Sequence, residues 1–562
     1  MQQQRKRQGL RHGWRAVLVV GLVSAFAIAC SSGGGSGSGS SGGGNSVLTV
    51  VAAPSPPFVA GFTPFSLSST VYLEGAQSMV YEPLIMFNVL KPGVIYPWLA
   101  TAYTWSNGGK TLTFTIRKGV KWNDGKPFTA ADVEFTFQLI RKFAALNVNG
   151  VSFTGVSSSG DQVTLSFSSP AYGQLYNISQ VLMVPQHIWS KITNPVTYTD
   201  TAPVGTGPYT LKSFSSQSFT LVKNPHYWMP GKPQIQTLRW VQYASNTSAD
   251  LALQQGAIDW SSIFLPHYQK LFIDQDPQHN HVYLPAIGAE YVCVNDAQYP
   301  FNMPAVRKAL SYAFDRDKMS TAVEQGFAVP MTSATGLLPG WSKFIAPQYQ
   351  SMNVSYDPAK AKQMLLAAGF KMGSGGKMMM PNGKPFSVVF TGPTPYTDFM
   401  ADMQLMSTSL NGIGVQSSVN GVGLSAWTTA YTDGTYQATM CGTFQTPGPY
   451  QLYNLELNGS LTAPVGKAAV GNYERWNDKT TNSALDSYAD TQSASVQQSD
   501  LNQVEKIMVN EMPLIPLFGL TSYAEYRTAH ATGFVTADNQ YQMPNPSSPW
   551  DETVVLHLKP AG

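Results

Sequence analysis

Two periodicities take turns along most of the chain, and that alternation sets the fold class before any motif is weighed. KTLTFTIRKG, from Lys110, puts Leu112, Phe114 and Ile116 on one face, which is the period-two pattern of a half-buried strand. Just beyond it, Asn123-Asp124-Gly125 is a turn, and Thr129 is an N-cap with Asp132 three residues on as a capping-box acid. Val133, Phe137 and Ile140 then recur at helical spacing. Further strands are predicted in SVLTVVAAP, DQVTLSFSS, PYTLKSFSSQSFTLVKN, QIQTLRWVQY and KPFSVVFTG. Helices are predicted in ADLALQQGAIDW, in PYTDFMADMQLMSTSLNGIG, and from roughly Ser495 to Val509. PAVRKALSYAFDRDKM and YDPAKAKQMLLAAGF read as helices opened by a first-turn proline. No repeat interrupts the series. The class is mixed α/β.

The body that carries this pattern starts late. Residues 1–15 are polar and basic, residues 16–29 almost wholly apolar, and Cys30 follows. That order describes a bacterial secretory signal, too short for a membrane span, which needs about 20 apolar residues. Ala27-Ile28-Ala29-Cys30 resembles a lipobox, with Ala27 where Leu is usual, so residues 1–29 are expected to be cleaved and Cys30 lipidated. Residues 31–44 are only Ser and Gly, a flexible tether of roughly 20 Å reach. Charged residues make up 12% of the chain, against about 25% in typical domains. The net charge of +3 is inflated by the basic leader, so a nucleic-acid footprint is not expected. Cys293 lies in the apolar run EYVCVND, where a buried free thiol is expected rather than a disulfide with Cys441.

Several segments, in order, resemble the extracytoplasmic solute-binding proteins of ABC importers, in the large class (family 5) that carries oligopeptides, nickel complexes and oligosaccharides. They are VYEPLI, WLATAYTWSNGGKTLTFTIRKGVKWNDGKPFTAADVEFTF, VPQHIW, GTGPYTLKSF with KNPHYW, VRKALSYAFDRDKM, YDPAKAKQMLLAAGF and EMPLIPLF. The resemblance implies a periplasmic-binding-protein-like α/β fold: two lobes joined by hinge strands, with an extra domain inserted in the first lobe. Mapped here, lobe one is 46–80, 201–290 and 522–562, the inserted domain 81–200, and lobe two 291–521. The hinges fall near 284–291 and 518–526. The ligand would be enclosed by lobe closure, and the partners would be a permease with a cytoplasmic ATPase. The motifs around Trp122 and Gly205-Thr206-Gly207-Pro208-Tyr209 read as scaffold, because Pro208 denies a phosphate loop its helix and an amide donor.

In peptide-binding relatives an aspartate after a Gly-Trp pair in lobe two meets the ligand's α-amino group. Here the pair is Gly442-Thr443 and the aspartate position is Thr446. An ammonium buried in a closed cleft needs a paired carboxylate, so the resemblance favours another ligand. The segment is rich in aromatic rings among Thr, Gln, Asn and Pro, which suits the C–H faces and hydroxyls of an oligosaccharide. QTPGPYQLYNLELN also resembles the branch that includes cello-oligosaccharide binders. Trp427, Tyr431, Phe444, Tyr450 and Tyr453 are the ligand-binding candidates, with Tyr72 and Tyr81 from lobe one. Packing of the same rings in the core of lobe two is the competing reading.

Other classes make different demands. A glycoside hydrolase needs two carboxylates about 5–10 Å apart across a cleft. The candidates, Asp433, Glu456 and Glu474, are expected to be exposed. His279 and His281, beside Asp274 and Asp276, read as a solvated loop rather than a metal site. A peptide or metal-complex receptor and a sensor lipoprotein share the fold. The reading is a monomeric, lipid-anchored receptor on the outer face of the membrane, without catalytic residues, cofactor or metal.

Overall fold

The computed structural model describes residues 47–66, 69–443, 446–546 and 550–562. The leader, Cys30, the Ser/Gly tract and Phe444 lie outside them. No helix among the described residues is long and apolar enough to cross a membrane.

Two large sheets organise the described chain. The first has seven strands in the order Asn280–Tyr283, Ala524–Arg527, Trp260–Ser261, Val47–Val51, Thr237–Val241, Ser218–Lys223 and Tyr209–Phe214. The second has six, in the order Ala328–Pro330, Ile515–Thr521, Ala286–Val294, Ala438–Thr443, Ser387–Pro393 and Gln416–Val422. The chain passes from one sheet to the other at 284–285 and returns at 522–523. A four-stranded sheet, spanning residues 100–166, packs with the first sheet in one hydrophobic core.

The local expectations hold where short-range chemistry decides. Thr111–Ile116 is a strand with Leu112, Phe114 and Ile116 buried. Helix Ala130–Lys142 opens on the Thr129/Asp132 capping box and buries Val133, Phe137 and Ile140. Pro358 starts a helix that Asp357 caps, and the long polar helix runs from Ala494 to Glu511. PAVRKALSYAFDRDKM departs from the reading, forming two helices, Pro304–Ala313 and Arg316–Ala322. The break comes at Asp315, whose carboxylate accepts from Lys318 N–H and caps the second helix. Buried Arg316 then donates to the carbonyls of Ser311 and Pro516.

The turn at Trp122 and the Gly205–Tyr209 motif sit in the scaffold. Trp122 is fully buried above the turn closed by Gly125 N–H to the Trp122 carbonyl at 2.9 Å. Gly205 and Gly207 press on the backbone of Met79 and Val80, where a Cβ on Gly205 would stand 1.8 Å from the Val80 carbonyl oxygen. Gly207 N–H donates to that same carbonyl at 2.8 Å.

Strands Ala286–Val294 and Ile515–Thr521 of the second sheet are buried along nearly their whole length, which is why they read as near-continuous apolar runs. Along Ala286–Val294, Val292 and Val294 face a core built with Leu310, Leu365 and Met406. Ala289, Tyr291 and Cys293 face another, with Tyr453, Leu485 and Met508. Cys293 and Cys441 are joined in a disulfide, with Cα atoms 5.8 Å apart across 148 residues of sequence. This corrects the expected free thiol. The strands that carry them are antiparallel neighbours, Cys293 opposite Thr439 and Cys441 opposite Tyr291, so both sulfurs lie on one face.

Candidate functional site: an aromatic strip and a carboxyl cluster

Trp427 and Tyr431 sit one turn apart on helix Leu424–Asp433, so their rings share a face. They stack at 5.3 Å with 3° between the planes. Gly434, in the left-handed conformation, ends that helix and turns the chain into strand Ala438–Thr443. Thr439 on this strand accepts the Trp427 indole N–H at 2.9 Å and donates to the Thr391 carbonyl at 2.7 Å, which fixes the ring's angle. Tyr473 lies 4.3 Å from Tyr431 on the inner side. Tyr396 and Phe399 lie 6.3 and 6.5 Å from Trp427 on the outer side. Tyr396 is 40% exposed, while Trp427 and Tyr431 are half-buried. The strip is thus anchored within and open at one end.

The remaining predicted rings do not join it. Tyr450 stacks on Tyr488 at 4.2 Å and lines a separate groove of about 420 Å³. Phe153, Phe167, Asn454, Asn458, Asp486 and Asp490 also line that groove. Gly173 closes one side, where a Cβ would meet Ala489 at 2.9 Å and the Tyr450 hydroxyl at 3.1 Å. Tyr453 is fully buried and donates its hydroxyl to the Thr335 carbonyl at 2.8 Å. Tyr81 is likewise fully buried, its hydroxyl donating to the Asp200 carboxylate. Tyr72 is half-buried on the short helix Thr70–Leu73. Tyr81 and Tyr453 therefore sit as core residues. Phe444, as noted, lies outside the described residues.

The acids require a correction. Glu456 and Glu474, expected to be exposed, are 2% and 0% exposed, and Asp433 is half-buried. Burial pushes the Glu456 carboxyl up, and burial with the neighbouring Glu456 pushes Glu474 up. Both lie near the inner end of the strip, where after burial they raise the Tyr431 hydroxyl. Asp296, beside Glu474, is paired with buried Arg307 at 3.3 Å. His279 pairs with Asp276 at 2.9 Å, and His281 stacks on Tyr526. No group of three or more His, Cys, Asp or Glu among the described residues is placed to hold a metal ion.

A second set of acids gathers where the sheets exchange strands, and sequence reading passed over it. Glu290 lies on strand Ala286–Val294, directly opposite Gly442. Glu324 follows helix Arg316–Ala322, and Asp398 and Asp402 lie on helix Thr397–Gly412. Beside them Tyr523 packs on Phe327 at 4.8 Å, and Phe327 in turn meets Phe264 at 5.0 Å. Signals were present: Glu290 opens an apolar run, and Asp402 falls on the helix face that buries Met403, Met406 and Leu410.

The likeness to known proteins is specific. The family model described as bacterial extracellular solute-binding proteins, family 5 Middle, matches residues 94–460. The glutathione-binding protein GsiB of Salmonella choleraesuis is 30% identical over 317 residues, 55% of this chain and 59% of that protein. Its counterpart from Escherichia coli K12 is 28% identical over 328 residues. The chain thus spans about three fifths of the length of the curated relatives it matches. A mannohexaose-bound periplasmic oligopeptide-binding protein from Thermotoga maritima shares the fold, with TM-score 0.79 and 23% identity over 92% of this chain and 99% of that one. NikZ of Campylobacter jejuni, solved with Ni(L-His), shares it with TM-score 0.75 and 19% identity at the same coverage. The fold is that of the periplasmic-binding proteins, and the chain belongs to the bacterial extracellular solute-binding proteins of family 5.

Proposed function

We propose that this chain is the solute receptor of an ABC importer, held on the outer face of the cell membrane by a lipid on Cys30. In this reading it captures an oligosaccharide between two lobes and delivers it to a permease. The observation that carries the sugar preference is the aromatic strip through Tyr396, Trp427 and Tyr431, partly open and fixed in angle by Thr439. Sugar rings present flat C–H faces to such a strip, and neighbouring hydroxyls and amides serve their O–H groups. The mannohexaose complex of a protein of this fold supports the choice. Thr446, 5% exposed with an unpaired hydroxyl, supplies no charge for a peptide amino group.

Calorimetric titration of the purified protein with cello-, manno-, xylo- and malto-oligosaccharides and short peptides tests the reading. At least one oligosaccharide should bind, and Trp427→Ala should weaken it about tenfold, as expected for loss of a stacking platform. Binding of peptides alone overturns the sugar preference. For the anchor, Cys30→Ser should release the protein into the medium. Retention of the variant on cells would speak against lipidation.

A further inference from the structure

The groove beside Tyr450 is a second cavity, of about 420 Å³, within the roughly 300–1,000 Å³ usual for small-molecule sites. Its walls belong to different cores. Phe153 and Phe167 pack with the core of the first sheet. Tyr450, Tyr488 and Ala489 pack with a core of the second. The walls meet where Gly173 closes on Ala489 and the Tyr450 hydroxyl, so an occupant of the groove touches both.

The floor is aromatic and rigid. Phe153 meets Phe137 edge-on at 5.7 Å, Phe167 leans on Trp105 at 5.6 Å, and Tyr450 lies flat on Tyr488 with 5° between the planes. Tyr450 is 6% exposed, yet its hydroxyl has no hydrogen-bond partner among the described residues. A hydroxyl so enclosed gains from a partner that a ligand brings.

The rim is polar on both sides. Ser168 and Ser169 are exposed on one wall. On the other, Asp486 and Asp490 stand one turn apart, exposed and outside every ion pair among the described residues. Asn458 donates an N–H to Asn454 Oδ1 at 2.8 Å, so the Asn454 amide keeps its own N–H donors for another acceptor. Among the described residues no Lys, Arg or His lines the groove, which disfavours an anionic group there. The two aspartates fall short of a metal site. Hydroxyl chemistry fits what is present: carboxylates accept from O–H groups, amide N–H groups donate to hydroxyl oxygens, and the aromatic floor takes C–H faces.

We propose that this groove is a second saccharide-binding site, with Phe153, Phe167 and Tyr450 as its floor and Asn454, Asp486 and Asp490 on its rim. It rests on the receptor reading above and deepens it, since the groove shares no lining residue with the aromatic strip. Helix Pro449–Leu457, which carries Tyr450 and Asn454, packs on strand Ala438–Thr443, whose Thr439 holds Trp427. The occupant is either the far end of the chain lying along the strip or a separate chain, with the same chemistry in both cases.

Calorimetric titration of the purified protein with manno- and cello-oligosaccharides, from disaccharide to hexasaccharide, separates these sources. In at least one series the hexasaccharide should bind about tenfold more tightly than the disaccharide or better, which marks one chain reaching both sites. Two chains bound per protein would mark separate occupants. Ser169→Trp, which fills the groove from an exposed position, should remove the length gain or the second equivalent. Asp486→Asn combined with Asp490→Asn should reduce the same quantity, as charge-assisted hydrogen bonds are lost. A preserved melting transition establishes that the variants fold. A single equivalent with length-independent affinity, or a gain that survives both sets of substitutions, overturns the groove site and leaves the sugar reading of the strip intact. Peptides binding while no sugar does would overturn both.

Discussion

Trp427 and Tyr453 are both ring-bearing residues of the same predicted segment, yet they play different parts. Trp427 keeps an open side, with its N–H held by Thr439. Tyr453 has no surface, and its hydroxyl is the partner of the Thr335 carbonyl. Tyr453→Phe should therefore cost about 1–3 kcal/mol of stability, the usual penalty for a buried acceptor left unpaired. Chemical denaturation should show that loss while calorimetry shows unchanged ligand affinity. A matching loss of affinity would return Tyr453 to the binding site. Sequence could nominate these rings but not sort them, because aromatic residues serve cores and ligand faces with the same side chains.

Strand pairing is where element-scale chemistry appears. Ala286–Val294 and Ala438–Thr443 bring together Glu290 with Gly442 and Cys293 with Cys441, residues with no local relation. The disulfide pins the strand pair next to the carboxyl cluster. Closing a loop of 148 residues restricts the unfolded chain strongly, and its removal should cost about 2–5 kcal/mol. Replacing both cysteines with alanine, followed by thermal melting with and without reductant, should show the loss in the variant and no further effect of reductant on it. Equal stability of the variant and the oxidised protein would show that the cross-link contributes nothing. The helix Thr397–Gly412 carries both Phe399, beside the aromatic strip, and the buried Asp402.

Among the described residues, many carboxyls are buried outside any ion pair. Burial raises Glu525 and Asp551 to about 8 each, and Glu290 and Glu474 are also raised. In an unfolded chain such groups ionise near pH 4. Between those values the folded state holds protons that the unfolded state has released, so stability falls as pH rises. The contribution is complete below about pH 4 and is lost as pH climbs through about 8. The melting temperature should thus be higher near pH 5 than near pH 8. A flat or rising profile across that window would mean that these acids ionise normally in the fold.

The amino-acid sequence by itself determined what depends on neighbours in the chain. The alternating strand at Leu112–Ile116 and the Thr129 cap follow from local periodicity and side-chain hydrogen bonding. The order of family-like segments was enough to indicate the fold. Only the tertiary structure decided the pairing of Cys293 with Cys441, the burial of Glu456 and Glu474, and the gathering of Glu290 with Glu324, Asp398 and Asp402. Those outcomes turn on which strands become neighbours in the second sheet and which helices cover it. Contacts across more than a hundred residues leave no periodicity in the sequence, because the energy that selects them comes from burying whole faces together.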